Sequence, residues 1–84
     1  MATKKPFEYK VIKEIGVLKT FKGGWQREVN IVSWNNAQPK LDIREWAPDH
    51  TKMGKGVSLG AEEVAIIKEI LDEFDPYSLE EIEV

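Results

Sequence analysis

The chain has 84 residues, no cysteine and a formal net charge of −3. That length supports one small, marginally stable domain, and the missing thiols exclude disulfides and cysteine-held zinc or iron–sulfur clusters. The charge is segregated: residues 1–60 carry 11 Lys and Arg against 6 Asp and Glu, a net of +5, and residues 61–84 carry one Lys against 9 acids, a net of −8.

In chain order, the polar stretch 1–6 has no apolar run approaching a signal peptide or a membrane span, and neither has the rest. A reducing, cytoplasmic setting is the expected one. Phe7, Tyr9 and Val11 alternate with Glu8 and Lys10, which predicts a first strand over 7–20. Ile12, Ile15, Val17 and Leu18 break the alternation around Gly16. A bulge or bend there explains the phase change; a helix over 11–18 is the alternative. Residues 21–24 read as a turn and 25–34 as a second strand. Asn35 to Pro39 form a turn of residues that tolerate unusual backbone angles. Residues 40–47 read as a third strand, stopped by Pro48–Thr51, and 54–59 as a short fourth.

Val64, Ile67, Leu71 and Phe74 follow helical spacing over 61–74, and Glu62 and Glu63 suit the positive end of the helix dipole. Ser58 or Gly60 can cap the start, and Asp75-Pro76 ends it. Residues 75–84 form an acidic tail, disordered in part or docked through Tyr77, Leu79 and Ile82. With Ile66 and Ile70 added, the apolar helix face is too wide for one covering surface. A two-fold partner is expected to cover its outer side through Ile67, Ile70, Leu71 and Phe74; a helix lying deep against a strongly curved sheet is the alternative.

Side chains two apart on a strand share a face. If Val29, Ile31, Leu41 and Ile43 form the core, then Asn30, Val32 and Trp34 on the second strand and Lys40, Asp42, Arg44 and Trp46 on the third face outward together. Exposed rings can stack on bases, and cations can hold phosphates. Lys22 beside Gly23 and Gly24, and Lys52 and Lys55 beside Gly54 and Gly56, make two basic loops whose glycines allow close backbone approach. Gly54–Ser58 is not a phosphate loop of the Walker type, since Asp49 stands where its first glycine belongs. His50 next to Asp49 is the one candidate acid–base pair, and no nucleophile spacing accompanies it. No His and acid set has metal-ligand spacing. The expectation is therefore a non-enzymatic domain without cofactor or metal.

Asp42-Ile43-Arg44-Glu45-Trp46, with Lys55-Gly56-Val57-Ser58-Leu59 and the helix after it, resembles the C-terminal domain of the transcriptional coactivator positive cofactor four over about residues 25–74. Val32-Ser33-Trp34-Asn35, Trp46–His50 and Lys52–Gly56 are closer still to its small bacterial members, of the kind called YdbC. The resemblance implies an α+β fold: a curved four-stranded antiparallel sheet, then one C-terminal helix, in a single domain with a core near 7–74. It implies a homodimer that binds single-stranded DNA with little sequence preference, in transcription regulation or in replication and repair; RNA remains open as a ligand. By position, Trp34, Arg44, Trp46, Lys55 and Arg27 match the family's binding positions. Val32 departs, standing where eukaryotic members carry a cation. The other reading of the same sheet face is a protein-interaction module for an acidic peptide.

Overall fold

The computed structural model describes residues 7–83; the polar stretch 1–6 and the last residue of the acidic tail lie outside it. Four strands, β1 (Tyr9–Thr20), β2 (Gln26–Trp34), β3 (Lys40–Trp46) and β4 (Met53–Leu59), are followed by helix α1 (Ala61–Asp72) and a 3-10 turn (Pro76–Glu81). The sheet is an antiparallel meander in sequence order, with β1 and β4 at its edges. The resemblance and the strand periodicity both lead to this fold.

β1 is a strand throughout, so the helical alternative over 11–18 does not hold. Its register against β2 skips at Val11/Lys13, Glu14/Gly16 and Val17/Lys19. The inserted residues are thus Ile12, Ile15 and Leu18, three large apolar side chains that broke the alternation in the sequence. A fourth irregularity lies where β4 passes Arg44 and Trp46. Each bulge bends its strand and increases twist, and together they curl the sheet. Tyr9 pairs with Trp34 and Trp46 with Gln26, at opposite ends of β2, which in a flat sheet would be about 26 Å apart. Their rings nevertheless lie 5.5 Å apart.

The curl decides which face is inside. Among the described residues the buried ones are Glu28, Asn30, Val32, Asp42, Trp46 and Ala47, and all the strand members of this set share the concave face. Val29, Ile31, Leu41 and Ile43, expected as the core, line the convex face and are only half-buried. The assignment of inner and outer faces from the sequence is therefore reversed.

α1 starts at Gly60, whose amide donates to Glu63 Oε1 at 3.0 Å; Ser58 serves another purpose, described below. The helix stops at Asp72, two residues short of expectation, with its last amides bonded back to Ile70 and Leu71. It touches only β3 and β4, and turns Val64 and Ile67 toward them, half-buried. Ile66, Ile70, Leu71 and Phe74 are exposed, so the helix does not lie deep on the sheet. Asp75 caps the 3-10 turn by accepting from the Tyr77 amide at 2.9 Å, while Tyr77, Leu79 and Ile82 project into solvent. The radius of gyration is 15.9 Å, against about 12 Å for a compact domain of this length. No helix among the described residues is long and apolar enough to cross a membrane.

Candidate nucleic-acid interface

β2 and β3 project Asn30, Val32, Trp34, Asp42, Arg44 and Trp46 from one face, as their spacing predicts. β4 adds Ser58 opposite Asp42 and Gly56 opposite Arg44. A closed circuit joins four of these side chains. Trp34 Nε1 donates to Ser58 Oγ at 3.0 Å, and Ser58 donates to Asp42 Oδ2 at 2.7 Å. Arg44 donates to both oxygens of Asp42, from Nε at 2.7 Å and Nη2 at 2.9 Å. Its guanidinium then lies over the Trp34 ring, 4.7 Å from the centroid.

Asp42 is fully buried, so its charge must be met from within the chain. Arg44 meets it, and a third donor ties Nη1 to the Gly54 carbonyl at 3.3 Å. The guanidinium is thereby fixed in plane and orientation, with most of its charge answered internally. Gly56 makes this possible: a Cβ there would lie 2.2 Å from Arg44 Cβ and 2.5 Å from the Ile43 carbonyl. Arg44 was expected as a free phosphate anchor; its packing makes it instead a rigid, flat cation.

Phe7, just before β1, and Tyr9, its first residue, join this end of the sheet. Phe7 stacks with Trp34 at 5.8 Å and 29°, and Tyr9 lies 5.7 Å from the same ring. An open recess of about 310 Å³ is lined by Phe7, Trp34, Arg44, Met53 and Ser58. Trp34 is half-buried, while Phe7 and Tyr9 beside it are exposed. Phe7 and Tyr9 were not among the expected site residues. Their alternation marks a strand, but only the β1–β2 pairing brings them to Trp34.

Trp46 corrects the sequence reading. It shares the face with Trp34 and Arg44 but is 1% exposed, enclosed by the curl between Tyr9 and His50. Its ring is core, and its Nε1 has no hydrogen-bond partner among the described residues. Asn30 is buried too, donating to Glu28 Oε1 at 3.2 Å. Arg27 lies on the opposite, convex face, one residue out of phase with Glu28. There it donates to Glu45 at 2.9 Å and covers the Phe21 ring.

The lysines remain exposed. Lys55 sits at the irregular part of β4, Lys52 at its approach, Lys40 at the start of β3 and Lys22 in the β1–β2 turn. The two basic loops meet at one end of the sheet: a Cβ on Gly24, whose φ is +92°, would lie 2.9 Å from Pro48.

His50 does not pair with Asp49. It reaches across to Glu28, with Nε2 at 2.9 Å from Oε2 and 3.1 Å from Oε1. A carboxylate can only accept, so Nε2 carries the proton in this contact. The residue adopts φ +59° to do so, and the pair latches the β3–β4 loop to β2. Asp49 instead closes its own turn. The Thr51 hydroxyl, with help from the Thr51 amide, holds its carboxyl below the usual carboxylate range. Among the described residues no group of three or more His, Asp and Glu is arranged to hold a metal ion.

Comparison with known proteins bears on this face. The family model described as Transcriptional Coactivator p15 (PC4) matches residues 21–70, which take in β2, β3, β4 and most of α1. An uncharacterized protein of Treponema pallidum (strain Nichols) is 42% identical over 73 residues, covering 84% of this chain and 86% of the relative.

Proposed function

The chain belongs to the Transcriptional Coactivator p15 (PC4) family, and on that premise we propose that it binds single-stranded DNA with little sequence preference, as a homodimer. Membership of the family supports nucleic-acid binding and a coactivator-like role. The observation that carries it is the pre-set plane of Arg44 over Trp34 beside the open recess with Phe7. Flat groups held rigidly lose little entropy when a base stacks on them, and each stacked base contributes about 1–3 kcal/mol whatever its identity.

In this mechanism Phe7, Tyr9 and the open part of Trp34 receive bases. Lys40, Lys52, Lys55 and Lys22 hold phosphates, which position the strand without reading it. Arg44 contributes its face more than its charge. Trp46, Asn30 and Asp42 act from beneath by keeping the concave surface rigid. The acidic helix and tail keep the strand off the other side. The exposed face of α1 supports self-association: Ile66, Ile70, Leu71 and Phe74 are exposed in the single chain, and a second helix across a two-fold axis would cover them. The role is binding, without catalysis.

Titration with oligo-dT, oligo-rU and duplex DNA at two salt concentrations tests this. Tryptophan quenching by oligo-dT that weakens as salt rises, with little response to duplex, is the expected result. No binding to any of the three, with capture of an acidic peptide instead, would replace the proposal by the protein-interaction reading.

A further inference from the structure

The concave face carries one arrangement twice. At the Trp34 end, Arg44 lies over the indole ring and is braced by the buried carboxylate of Asp42. At the other end the His50 ring lies against the Trp46 ring, with centroids 5.5 Å apart and planes inclined by 32°. Its Nε2 is held at 2.9 and 3.1 Å by the two oxygens of Glu28. The Glu28 side chain is 7% exposed and that of His50 47%, so the brace is buried and the ring is open. Register sets the two braces side by side: Glu28 pairs with Arg44, and Asn30, which donates to Glu28, pairs with Asp42.

The backbone fixes this ring as well. Loop 47–52 is closed by the Ala47 amide donating to the Lys52 carbonyl at 3.0 Å, and the His50 amide donates to the Ala47 carbonyl at 2.9 Å. One side of the imidazole faces Trp46, which it helps to bury, and the open side borders a recess of about 330 Å³. Ile15 and Val17 of β1, both half-exposed, form the apolar lining of this recess, and Gln26 and Glu14 add polar groups. The rings that receive bases in the proposed mechanism all lie at the Trp34 end, yet two of its phosphate-holding lysines sit here. Lys22 lies in the turn leading to Gln26, the β2 partner of Trp46, and that turn packs beside the His50 loop through Gly24 and Pro48. Lys52 closes the loop itself.

We propose that His50 is a second base-stacking position for the same single strand, with the base lying in the recess between the imidazole and the side chains of Ile15 and Val17. An imidazole offers a flat face to any base, as the larger rings do, and one already fixed in rotation loses little entropy when a base settles on it. Lys22 and Lys52 hold the adjoining phosphates, and the carboxylate of Glu14 keeps them to the lysine side. Glu28 is a positioning residue, acting through the imidazole. The strand thus crosses the concave groove from Trp34 to His50, over the contact of Tyr9 with Trp46. This rests on the single-strand binding proposed above and lengthens its footprint.

Oligo-dT of about 4 and about 16 nucleotides, the span of sites on single small domains, tests this with the full chain. His50→Ala should weaken the longer oligonucleotide about tenfold and the shorter far less. His50→Phe keeps a ring and drops the bond to Glu28, whereas His50→Gln keeps a donor for Glu28 and drops the ring. Stacking predicts that His50→Phe stays within about threefold of the parent on the longer oligonucleotide and that His50→Gln falls with His50→Ala. A purely structural latch predicts the reverse order, and that order overturns the proposal, as does unchanged affinity in His50→Ala. The parent chain gives a reading free of any folding defect, because His50 is its one histidine. Its imidazole proton resonances should move upfield on adding the longer oligonucleotide, and binding without such a shift overturns the stacking. Failure of both lengths to bind the parent removes the single-strand reading itself, and this site with it.

Discussion

Asp42 and Arg44 stand two apart on β3 and form a bidentate pair, with donor–acceptor distances of 2.7 and 2.9 Å and the carboxylate fully buried. Residues so spaced share a strand face, so the pair forms locally. Its consequence is not local: Ser58 from β4 and Trp34 from β2 are drawn into the same circuit. Three strands are thus locked together at the point where the candidate interface has its aromatic rings.

If the rings at this point receive bases, Trp34→Ala and Phe7→Ala should each weaken oligo-dT binding by roughly five- to 150-fold, the equivalent of about 1–3 kcal/mol. Trp34→Phe should lose less, since it keeps a ring and drops only the bond to Ser58. Fluorescence anisotropy of a labelled oligonucleotide reads all three. Unchanged binding in both alanine variants would remove stacking from the mechanism.

Trp46 should behave as core. Truncation of a buried tryptophan to alanine costs about 3–5 kcal/mol, a large share of a small domain's stability, so Trp46→Ala should unfold at markedly lower denaturant. Trp46→Phe removes a buried N–H that has no partner among the described residues, and should stay within about 1 kcal/mol of the parent. Urea melts separate this outcome from a surface ring, for which both changes would be nearly silent.

Gly56→Ala should disturb the site without touching it chemically. The added methyl would meet Arg44 Cβ and the Ile43 carbonyl well inside contact distance, and overpacking of this kind costs about 1–3 kcal/mol or more. A lowered melting temperature with weakened oligo-dT binding is expected. Full stability would mean that β4 is free to shift away from Arg44.

The exposed lysines should set the salt dependence. Each phosphate neutralised on a single strand contributes about −0.7 to the slope of log K against log salt. Lys55→Ala and Lys22→Ala should each make the slope shallower by about that amount, with no change in the melting temperature. Arg27→Ala should leave the slope unchanged, because Arg27 is paired with Glu45 on the convex side.

Ile70→Asp should abolish self-association and leave a folded chain, since Ile70 is 56% exposed in the single copy. Ile67→Asp should instead cost stability, because Ile67 turns toward the sheet. Sedimentation and circular dichroism on the two variants distinguish seam from core. A stable dimer in Ile70→Asp would place the seam elsewhere.

Much of this was legible in the sequence. Period-two spacing put Trp34 with Asn30 and Arg44 with Trp46, and helical spacing over 61–74 found α1 to within two residues. The apolar residues that broke the pattern in β1 marked a bulge, and three are present. The Asp42–Trp46 block and the loop after it led to the family. Alternation, however, says which residues lie together on a face and not which face the sheet curls around. That was decided by four backbone irregularities whose bends add up over long-range pairing, and they turned the expected surface into the concave interior. Hence Trp46 became core, Arg44 became a braced plane over Trp34, and Arg27 fell on the far side. Asp42 comes from β3, Ser58 from β4 and Phe7 from the segment before β1, so only the folded register could bring them to that ring.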